Sequence, residues 1–545
     1  MQIDTQNERP TPSTEAATPQ RLPAGGALVI ATLLISAFVV ILNETAMNVA
    51  ISTLIEDPTL AIDERAAQWL TTAFMLTMAV VIPATGWLMA RFSKRTLYVA
   101  AMGAFVVGSL IAGFSPSFAL LLLGRVVQAS GTAIVFPLLM TTVMELVPPA
   151  RRGAFMGTIS MVMSVAPALG PTVSGAVLQF ASWRWIFLGV APLALLMLLV
   201  GARNLGGGAQ EHRPRLDARS IPLAGLGFGG LVYGLSLIGA QGLPAWQLPA
   251  ALGVGAVSLT AFVLRQRRLQ RTDDALLDLR TFRHPLFTTT VLIMAFAMAA
   301  MFGTLILLPL VLQDALGLEP LQVGLITMPG ALLTGLLGPV VGNLYDRWGP
   351  RPLVIPGGLV VMAALLLYTT LQSSTPWWMV LIMQMVLMLG FAFTFPPLFT
   401  VSLASLPRHL YGHGSAIVGT VQQVAGAAGT AAFVTIMATR QTQLVAEGVA
   451  SGDALLEGAR AAFMGAAALW IFGIVATFWM RKPADTVPDE REHVELAPEA
   501  QPAPLAHESQ SAPLAHEAQP APLAHAHEAQ PAPLAHAQER ADEPR

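Results

Sequence analysis

Long apolar runs, separated by short polar segments, make up most of the chain. Each run is about 20 residues long, the length that an α-helix needs to cross roughly 30 Å of hydrocarbon. The pattern predicts fourteen membrane-spanning helices, and an even number of spans places both termini on the same side of the membrane. The predicted spans lie near residues 27–51, 66–90, 96–114, 117–144, 153–179, 183–202, 220–240, 248–264, 286–312, 323–345, 352–372, 377–403, 414–438 and 461–480.

The composition agrees with this pattern. Hydrophobic residues make up 54% of the 545 residues, and Asp, Glu, Lys and Arg only 11%, against roughly 25% in a soluble domain. The predicted fold class is an all-α polytopic membrane protein. A formal net charge of −2 argues against a nucleic-acid partner, which needs a basic face to neutralise phosphates. The sequence has no Cys, so disulfides, thiolate metal sites and thiol nucleophiles are excluded.

Both ends of the chain have a different composition from the apolar centre. Residues 1–24 are polar and predict a disordered leader, because no apolar stretch of a signal peptide follows a basic start. Residues 483–545 repeat the unit Ala-Pro-Leu-Ala-His, and such a tract has too few bulky apolar groups to form a core. The repeat histidines allow weak metal binding as an alternative, but we predict a solvated tail and no metal site.

The distribution of basic residues predicts the orientation. If both termini are cytoplasmic, eighteen Lys and Arg fall in inner loops and only four, Arg65, Arg184, Arg440 and Arg460, in outer loops. Cytoplasmic loops of membrane proteins carry an excess of basic residues. We therefore expect both termini in the cytoplasm.

An internal repeat divides the chain. Residues 86–95, after the second span, read GWLMARFSKR, and residues 342–351, after the tenth, read GNLYDRWGPR. The repeat predicts two parallel six-helix halves, residues 25–202 and 286–480, with two helices inserted between them over 220–264. Parallel halves of this kind are typical of transporters.

The repeated loop resembles the signature of the major facilitator superfamily. The fourteen spans narrow the resemblance to its drug:proton antiporters, and the stretches Leu42–Thr45 and Gln128–Gly131 look most like the lincomycin-resistance type. The resemblance implies the major facilitator fold. It also implies a bacterial cytoplasmic membrane.

The resemblance assigns the repeated loops to a cytoplasmic latch that holds the two halves together in one state. The first loop departs from the family pattern, with Ala90 in place of Asp and Ser93 in place of Gly. The second loop keeps Asp346. We therefore expect the second loop to be the stronger latch. The predicted latch residues are Gly86, Arg91, Arg95, Gly342, Asp346, Arg347, Gly349 and Arg351.

Glu44 and Arg125 are the two ionisable residues that lie well inside predicted spans. Each costs about 2.5–3.5 kcal/mol at the centre of a membrane helix, so both must face the bundle interior or an aqueous cavity. We predict that Glu44 binds the coupling proton and that Arg125, which stays charged, tunes the proton affinity of Glu44. The alternative is a structural carboxylate that is permanently paired with Arg125.

Three amides on the same two spans, Asn43, Asn48 and Gln128, are weaker candidates for the substrate cavity. Ordinary hydrogen bonding between helices is an equal alternative for them.

The stretch APALGPTVSG at 166–175 is similar to the antiporter motif of that family, with Gly170, Pro171 and Gly175 at its positions. Pro kinks a helix and Gly allows close approach, so we expect this span to pack tightly near the outer end of the cavity. The alternative is that Gly and Pro are simply frequent in membrane helices.

The resemblance implies proton-coupled efflux of amphipathic drugs or antibiotics by alternating access. The expected partners are a small amphipathic substrate, protons and membrane lipid. The energy source is the proton motive force and no cofactor is expected. We expect a non-enzymatic monomer, and the sequence leaves open an adaptor protein. The alternatives are a dedicated exporter of an endogenous metabolite or lipid and, with less support, a passive channel or a membrane enzyme.

Overall fold

The computed structural model describes residues 22–23, 25–60, 62–206, 214–238 and 244–483. The predicted leader, apart from residues 22 and 23, and the predicted tail beyond residue 483 lie outside the described residues. All the described residues belong to one compact unit of the chain.

In the N-terminal half, six spans are built from eight α-helices. The second span is interrupted by a 3₁₀ turn at Ile82–Ala84, where Pro83 has no N–H to continue the α-helical ladder. The sixth span consists of a short helix followed, after Gly189, by a longer one. The helices are α1 (Gly26–Glu56), α2 (Glu64–Val81), α3 (Thr85–Arg91), α4 (Lys94–Gly113), α5 (Phe118–Leu146), α6 (Arg152–Phe180), α7 (Arg184–Leu188) and α8 (Val190–Asn204).

The inserted pair and the C-terminal half follow. The first inserted span contains a π-helical turn at Gly225–Gly229 between two short α-helices. The remaining spans are single helices. The helices are α9 (Ser220–Ala224), α10 (Gly230–Ser236), α11 (Gln247–Leu269), α12 (Pro285–Asp314), α13 (Pro320–Trp348), α14 (Arg351–Tyr368), α15 (Trp377–Ala404), α16 (Tyr411–Ala446) and α17 (Ser451–Thr477).

Within the described residues, thirteen helical segments are long and apolar enough to cross a membrane, and the apolar segment Ser220–Ser236 is a shorter fourteenth. The predicted all-α fold with fourteen spans is confirmed. The last helix begins at Ser451 rather than near 461. Its first turns carry Glu457 and Arg460, which form an ion pair. These charges marked a loop in the sequence pattern, whereas they lie on a helix.

The inserted pair packs against both halves. The helices α9 to α11 contact α2 of the N-terminal half and α16 of the C-terminal half. The Trp69 and Tyr233 rings stack with their centroids 5.9 Å apart. At the other end of the pair, Arg265 Nε donates a 2.5 Å hydrogen bond to Asp217, and bonds from Arg265 and Ser220 lower the pKa of Asp217 to about 2.

Candidate functional site

A buried chain of polar side chains links four segments of the N-terminal half. Arg125 Nη1 on α5 donates to Gln128 Oε1 at 2.7 Å, and Gln128 Nε2 donates to Asn43 Oδ1 on α1 at 2.8 Å. Asn43 Nδ2 in turn donates to the Ile186 carbonyl on α7 at 3.0 Å, and Gln128 Nε2 also reaches Ser109 Oγ on α4. Because polar groups among apolar helices must find partners within the protein, this chain fixes the relative positions of α1, α4, α5 and α7.

Arg125 is held in a closed apolar setting. Its side chain is 1% exposed, and its guanidinium carbon lies 4.1 Å from the centroid of the Phe74 ring. Its Nε has no hydrogen-bond partner in the described part of the chain. The guanidinium therefore keeps a spare donor and a charge that the amide of Gln128 does not neutralise.

Glu44 lies beside this chain on α1. Its side chain is partly exposed, whereas the neighbouring Asn43 is buried. Glu44 and Arg125 interact through their charges, but within the described residues they form no ion pair closer than 4.0 Å. Arg125 is thus fixed by Gln128, and Glu44 lies beside it without an ion pair to it. This geometry does not favour the alternative of a permanent Glu44–Arg125 pair.

The antiporter stretch contacts the same part of α1. A Cβ at Gly170 would lie 2.2 Å from Thr45 Oγ1, so only glycine allows α6 to approach α1 this closely. A Cβ at Gly175 would meet nothing within 4 Å, and Pro171 is exposed. Of the three predicted motif residues, Gly170 is therefore the one that packs against the residue next to Glu44.

The second repeated loop connects the halves through Asp346. Its Oδ1 accepts a hydrogen bond from the Gly153 N–H at 2.8 Å, and its Oδ2 accepts one from the Ala154 N–H at 2.9 Å. These N–H groups belong to the first turn of α6, where helix donors lack partners within the helix and the helix dipole favours a negative charge. A carboxylate of the C-terminal half thus caps a helix of the N-terminal half.

Glycines make this contact between α6 and α13 close. A Cβ at Gly342 would lie 2.1 Å from the Gly153 carbonyl oxygen, and a Cβ at Gly157 would lie 2.1 Å from that of Gly338. Small residues spaced four apart let membrane helices approach closely. Gly153, Gly157 and Gly338 were not among the predicted site residues, although the spacing of 153/157 and 338/342 is the signal that identifies them.

The other residues of the second loop act within its own half. Arg351 Nη2 donates to the Phe478 carbonyl at 2.8 Å and its Nε donates to the Met480 carbonyl, which ties α14 to the end of α17. Gly349 ends α13 with a φ of 78°, and Arg347 is exposed. Of the predicted latch residues in this loop, Asp346 and Gly342 therefore contact the opposite half.

The first repeated loop makes a different contact. A Cβ at Gly86 would lie 2.5 Å from His413 Nδ1 on α16. Lys94 pairs with Glu145 at the end of α5, within the same half. Within the described residues, Arg91 and Arg95 make no hydrogen bond or ion pair with another side chain.

Several contacts between the halves lie near one end of the bundle. We call the end that carries the α3–α4 loop and the start of α6 the latch end. In addition to the contacts of Asp346 and Gly86, Thr141 and Ser415 form a 2.9 Å hydrogen bond across the halves there.

The side-chain amide of Asn48, a predicted cavity residue, lies outside the described part of the chain.

Comparisons with known proteins agree with the predicted family and fold. The sequence profile described as Major Facilitator Superfamily matches residues 33–430. The lincomycin resistance protein LmrB of Listeria monocytogenes is 37% identical over 459 residues, covering 83% of this chain and 96% of that protein. A multidrug resistance protein B homolog of Mycobacterium tuberculosis is 28% identical, with 79% of each chain covered. The solved structure of the human organic anion transporter MFSD10 aligns with a TM-score of 0.59 at 16% identity, covering 83% of this chain and 99% of that chain.

Proposed function

Because the chain belongs to the major facilitator superfamily and is a multi-pass membrane transporter rather than an enzyme, we propose that it exports amphipathic drugs or antibiotics in exchange for protons. The names of its relatives, a lincomycin resistance protein and a multidrug resistance homolog, support drug-like substrates. Lincomycin is the first compound to test.

One observation carries the proton coupling. The partly exposed Glu44 side chain lies beside the buried cation Arg125, which Gln128 holds in place. A carboxylate that keeps access to the surface can bind and release a proton, whereas an arginine stays charged. A cationic or strongly polar substrate near Glu44 competes with the proton for that carboxylate.

The direction of the conformational cycle follows from the contacts between the halves. We place the latch end in the cytoplasm, since the basic loop residues of the chain lie mainly at that end. With the cytoplasmic ends of α6 and α13 in contact, the described state is closed toward the cytoplasm. Protonation of Glu44 from the outside, followed by separation of Gly153 from Asp346, then opens the cytoplasmic side.

The proton motive force is the proposed energy source, without a cofactor. One charge crossing 100 mV releases about 2.3 kcal/mol, which supports a roughly fiftyfold substrate gradient. We propose a monomer in the bacterial cytoplasmic membrane with both termini inside, in contact with membrane lipid and no nucleic acid. Association with an adaptor protein is not required for this mechanism.

The test uses a drug-sensitive bacterial host that expresses the full chain. We expect resistance to lincomycin or to other compounds in a panel of amphipathic drugs. We also expect efflux to stop when an uncoupler collapses the proton gradient. The control is Glu56→Gln, an exposed carboxylate at the far end of the same helix. Efflux that continues at full rate without a proton gradient would contradict proton coupling. Export of an endogenous metabolite or lipid with no drug efflux would replace the proposed substrate class.

A further inference from the structure

The first repeated loop lacks the carboxylate that caps a helix in the second loop, since Ala90 occupies that position. The two halves nevertheless meet there. Gly86 lies against His413 so closely that an added Cβ would come within 2.5 Å of Nδ1 and 3.1 Å of Cα. On the next turn, a Cβ at Gly412 would lie 3.4 Å from Met89 Cβ. The start of α16 in the C-terminal half therefore rests on α3 of the N-terminal half through an imidazole.

A third segment holds the imidazole in position. The backbone N–H of Asp278, between α11 and α12, donates to His413 Nδ1 at 3.3 Å. Asp278 is 2% exposed. Its carboxylate accepts hydrogen bonds from Arg280, whose Nε lies 2.8 Å from Oδ2. The two carboxylates of Asp273 and Asp278 raise the pKa of Arg280 above its usual range. The segment is thus locked by its own ion pairs, and its backbone donor points at His413.

The same segment is attached to the inserted helices. Gln266 on α11 accepts a 2.7 Å hydrogen bond from the Leu276 N–H through Oε1, and its Nε2 donates to Ser220 on α9 at 2.8 Å. Gln266 and Leu276 are buried, 0% and 2% exposed. Hydrogen bonds and the backbone of residues 276–278 therefore connect α9 and α11 to the imidazole.

We propose that His413 is the positioning residue of the cytoplasmic contact at the first loop, and that the inserted helices and the segment at 276–278 orient it. The proposal rests on the proposed alternating-access function. The oriented ring meets Gly86 only when the cytoplasmic ends of the halves are together. His413 therefore favours the state that is closed toward the cytoplasm, in the place where the second loop uses Asp346.

The proposal is tested by accessibility, which requires neither substrate nor proton gradient. Because the chain has no Cys, Thr141→Cys introduces a single probe at a residue that is 4% exposed and touches Ser415 across the halves. Labelling by a membrane-impermeant maleimide in everted membrane vesicles then reports opening toward the cytoplasm. Thr96→Cys, at an exposed position at the same end, is the control for reagent access.

Gly86→Ala should raise Thr141→Cys labelling severalfold, because the added methyl group displaces the ring. Gly103→Ala is the matched control, since a Cβ there meets nothing within 4 Å. His413→Ala should also raise labelling, and His413→Asn, which keeps an acceptor near the position of Nδ1, should restore most of the protection. In the His413→Ala background, Gly86→Ala should cause little further increase in Thr141→Cys labelling. Additive effects of the two changes, or unchanged labelling in both single variants, would overturn the proposal.

Two substitutions at Asp278 test whether the segment at 276–278 orients His413 through its backbone N–H. Its φ of −81° is close to the value that proline imposes. Asp278→Pro removes both the carboxylate and the N–H donor, whereas Asp278→Ala removes the carboxylate alone. We expect greater Thr141→Cys labelling in the Pro variant than in the Ala variant. Equal labelling would show that the backbone donor does not orient His413.

Failure of this proposal is distinguishable from failure of the proposed function. If the labelling results hold and efflux does not depend on the proton gradient, His413 remains a gate residue of a transporter with another energy source. If efflux is proton-coupled and His413→Ala lowers only expression or thermal stability, His413 is merely structural and the proposal is wrong.

Discussion

The carboxylate of Asp346 on α13 accepts a 2.8 Å hydrogen bond from the backbone N–H of Gly153 on α6. This bond joins the last turn of one helix to the first turn of another from the opposite half. The charge of the carboxylate and the unpaired donors of the α6 N-terminus are complementary, so the contact stabilises one arrangement of the halves. It is broken in any state in which the two halves separate at the latch end.

Asp346→Asn should shift the transporter toward the state that is open to the cytoplasm. The amide loses the charge and one of the two acceptor oxygens, which leaves an N–H of α6 unpaired at a cost of about 1–3 kcal/mol. A bias of that size changes the populations by roughly five- to 150-fold. Labelling of Thr141→Cys from the cytoplasmic side measures the shift. Asp314→Asn, an exposed carboxylate at the end of α12, is the control, and equal labelling in the two variants would contradict the prediction.

Gly157→Ala should prevent closure at the same crossing. The new Cβ would lie 2.1 Å from the Gly338 carbonyl oxygen, and a backbone atom cannot move aside as a flexible side chain can. We expect strong loss of efflux with increased labelling of Thr141→Cys. Gly324→Ala on α13 is the matched control, since a Cβ there meets nothing within 4 Å. Equal efflux by the two variants would show that the close approach of α6 and α13 is not needed.

Gln128→Leu should reduce both stability and efflux. The change leaves Asn43 and Ser109 without one partner each and removes the acceptor that holds Arg125. Each buried group left unpaired costs about 1–3 kcal/mol. The melting temperature of the detergent-solubilised protein and the rate of drug efflux are the measurements. Gln372→Leu, at an exposed position in the C-terminal half, is the control, and an unchanged melting temperature in Gln128→Leu would argue that the network contributes nothing to stability.

We expect stability to depend on pH through Asp57, which lies at the end of the bundle opposite the latch end. Hydrogen bonds from Thr59, Trp183 and Arg184 lower its pKa from 3.8 to about 2. The carboxylate therefore contributes stability, on the order of 2 kcal/mol, that is fully present above pH 3.8 and is lost as the pH falls through about 2.

Asp57→Asn should remove that contribution, so its loss of melting temperature relative to the native chain should be constant from pH 7 to pH 5 and shrink below pH 4. The Glu56→Gln variant, at the exposed neighbouring position, serves as the comparison. A loss that is the same at pH 7 and at pH 3 would show that the charge of Asp57 is not the source of the stability.

The spans were predictable from the sequence because a membrane helix must be apolar along its whole length. The predicted helix bounds were wrong where a helix extends beyond the apolar run, as at Glu457 and Arg460. Charges on a protruding helix resemble those of a loop. Arg125 and Gln128 are three residues apart, so their contact follows from helix geometry. The Ile186 carbonyl that accepts from Asn43 had no sequence signal, since it depends on which helices pack together. The same holds for His413 beside Gly86.

The assignment of Glu44 as the proton-coupling site is tested most directly by measuring proton movement in its variant. The full-length protein is reconstituted in liposomes with a pH-sensitive dye inside, and a substrate identified in the drug panel is added without a proton gradient. Native protein and Glu56→Gln should both exchange protons for substrate and change the internal pH. Glu44→Gln should fold and bind the drug while its substrate-driven proton movement disappears. Proton movement by Glu44→Gln at the native rate would contradict the assignment of Glu44 as the coupling site.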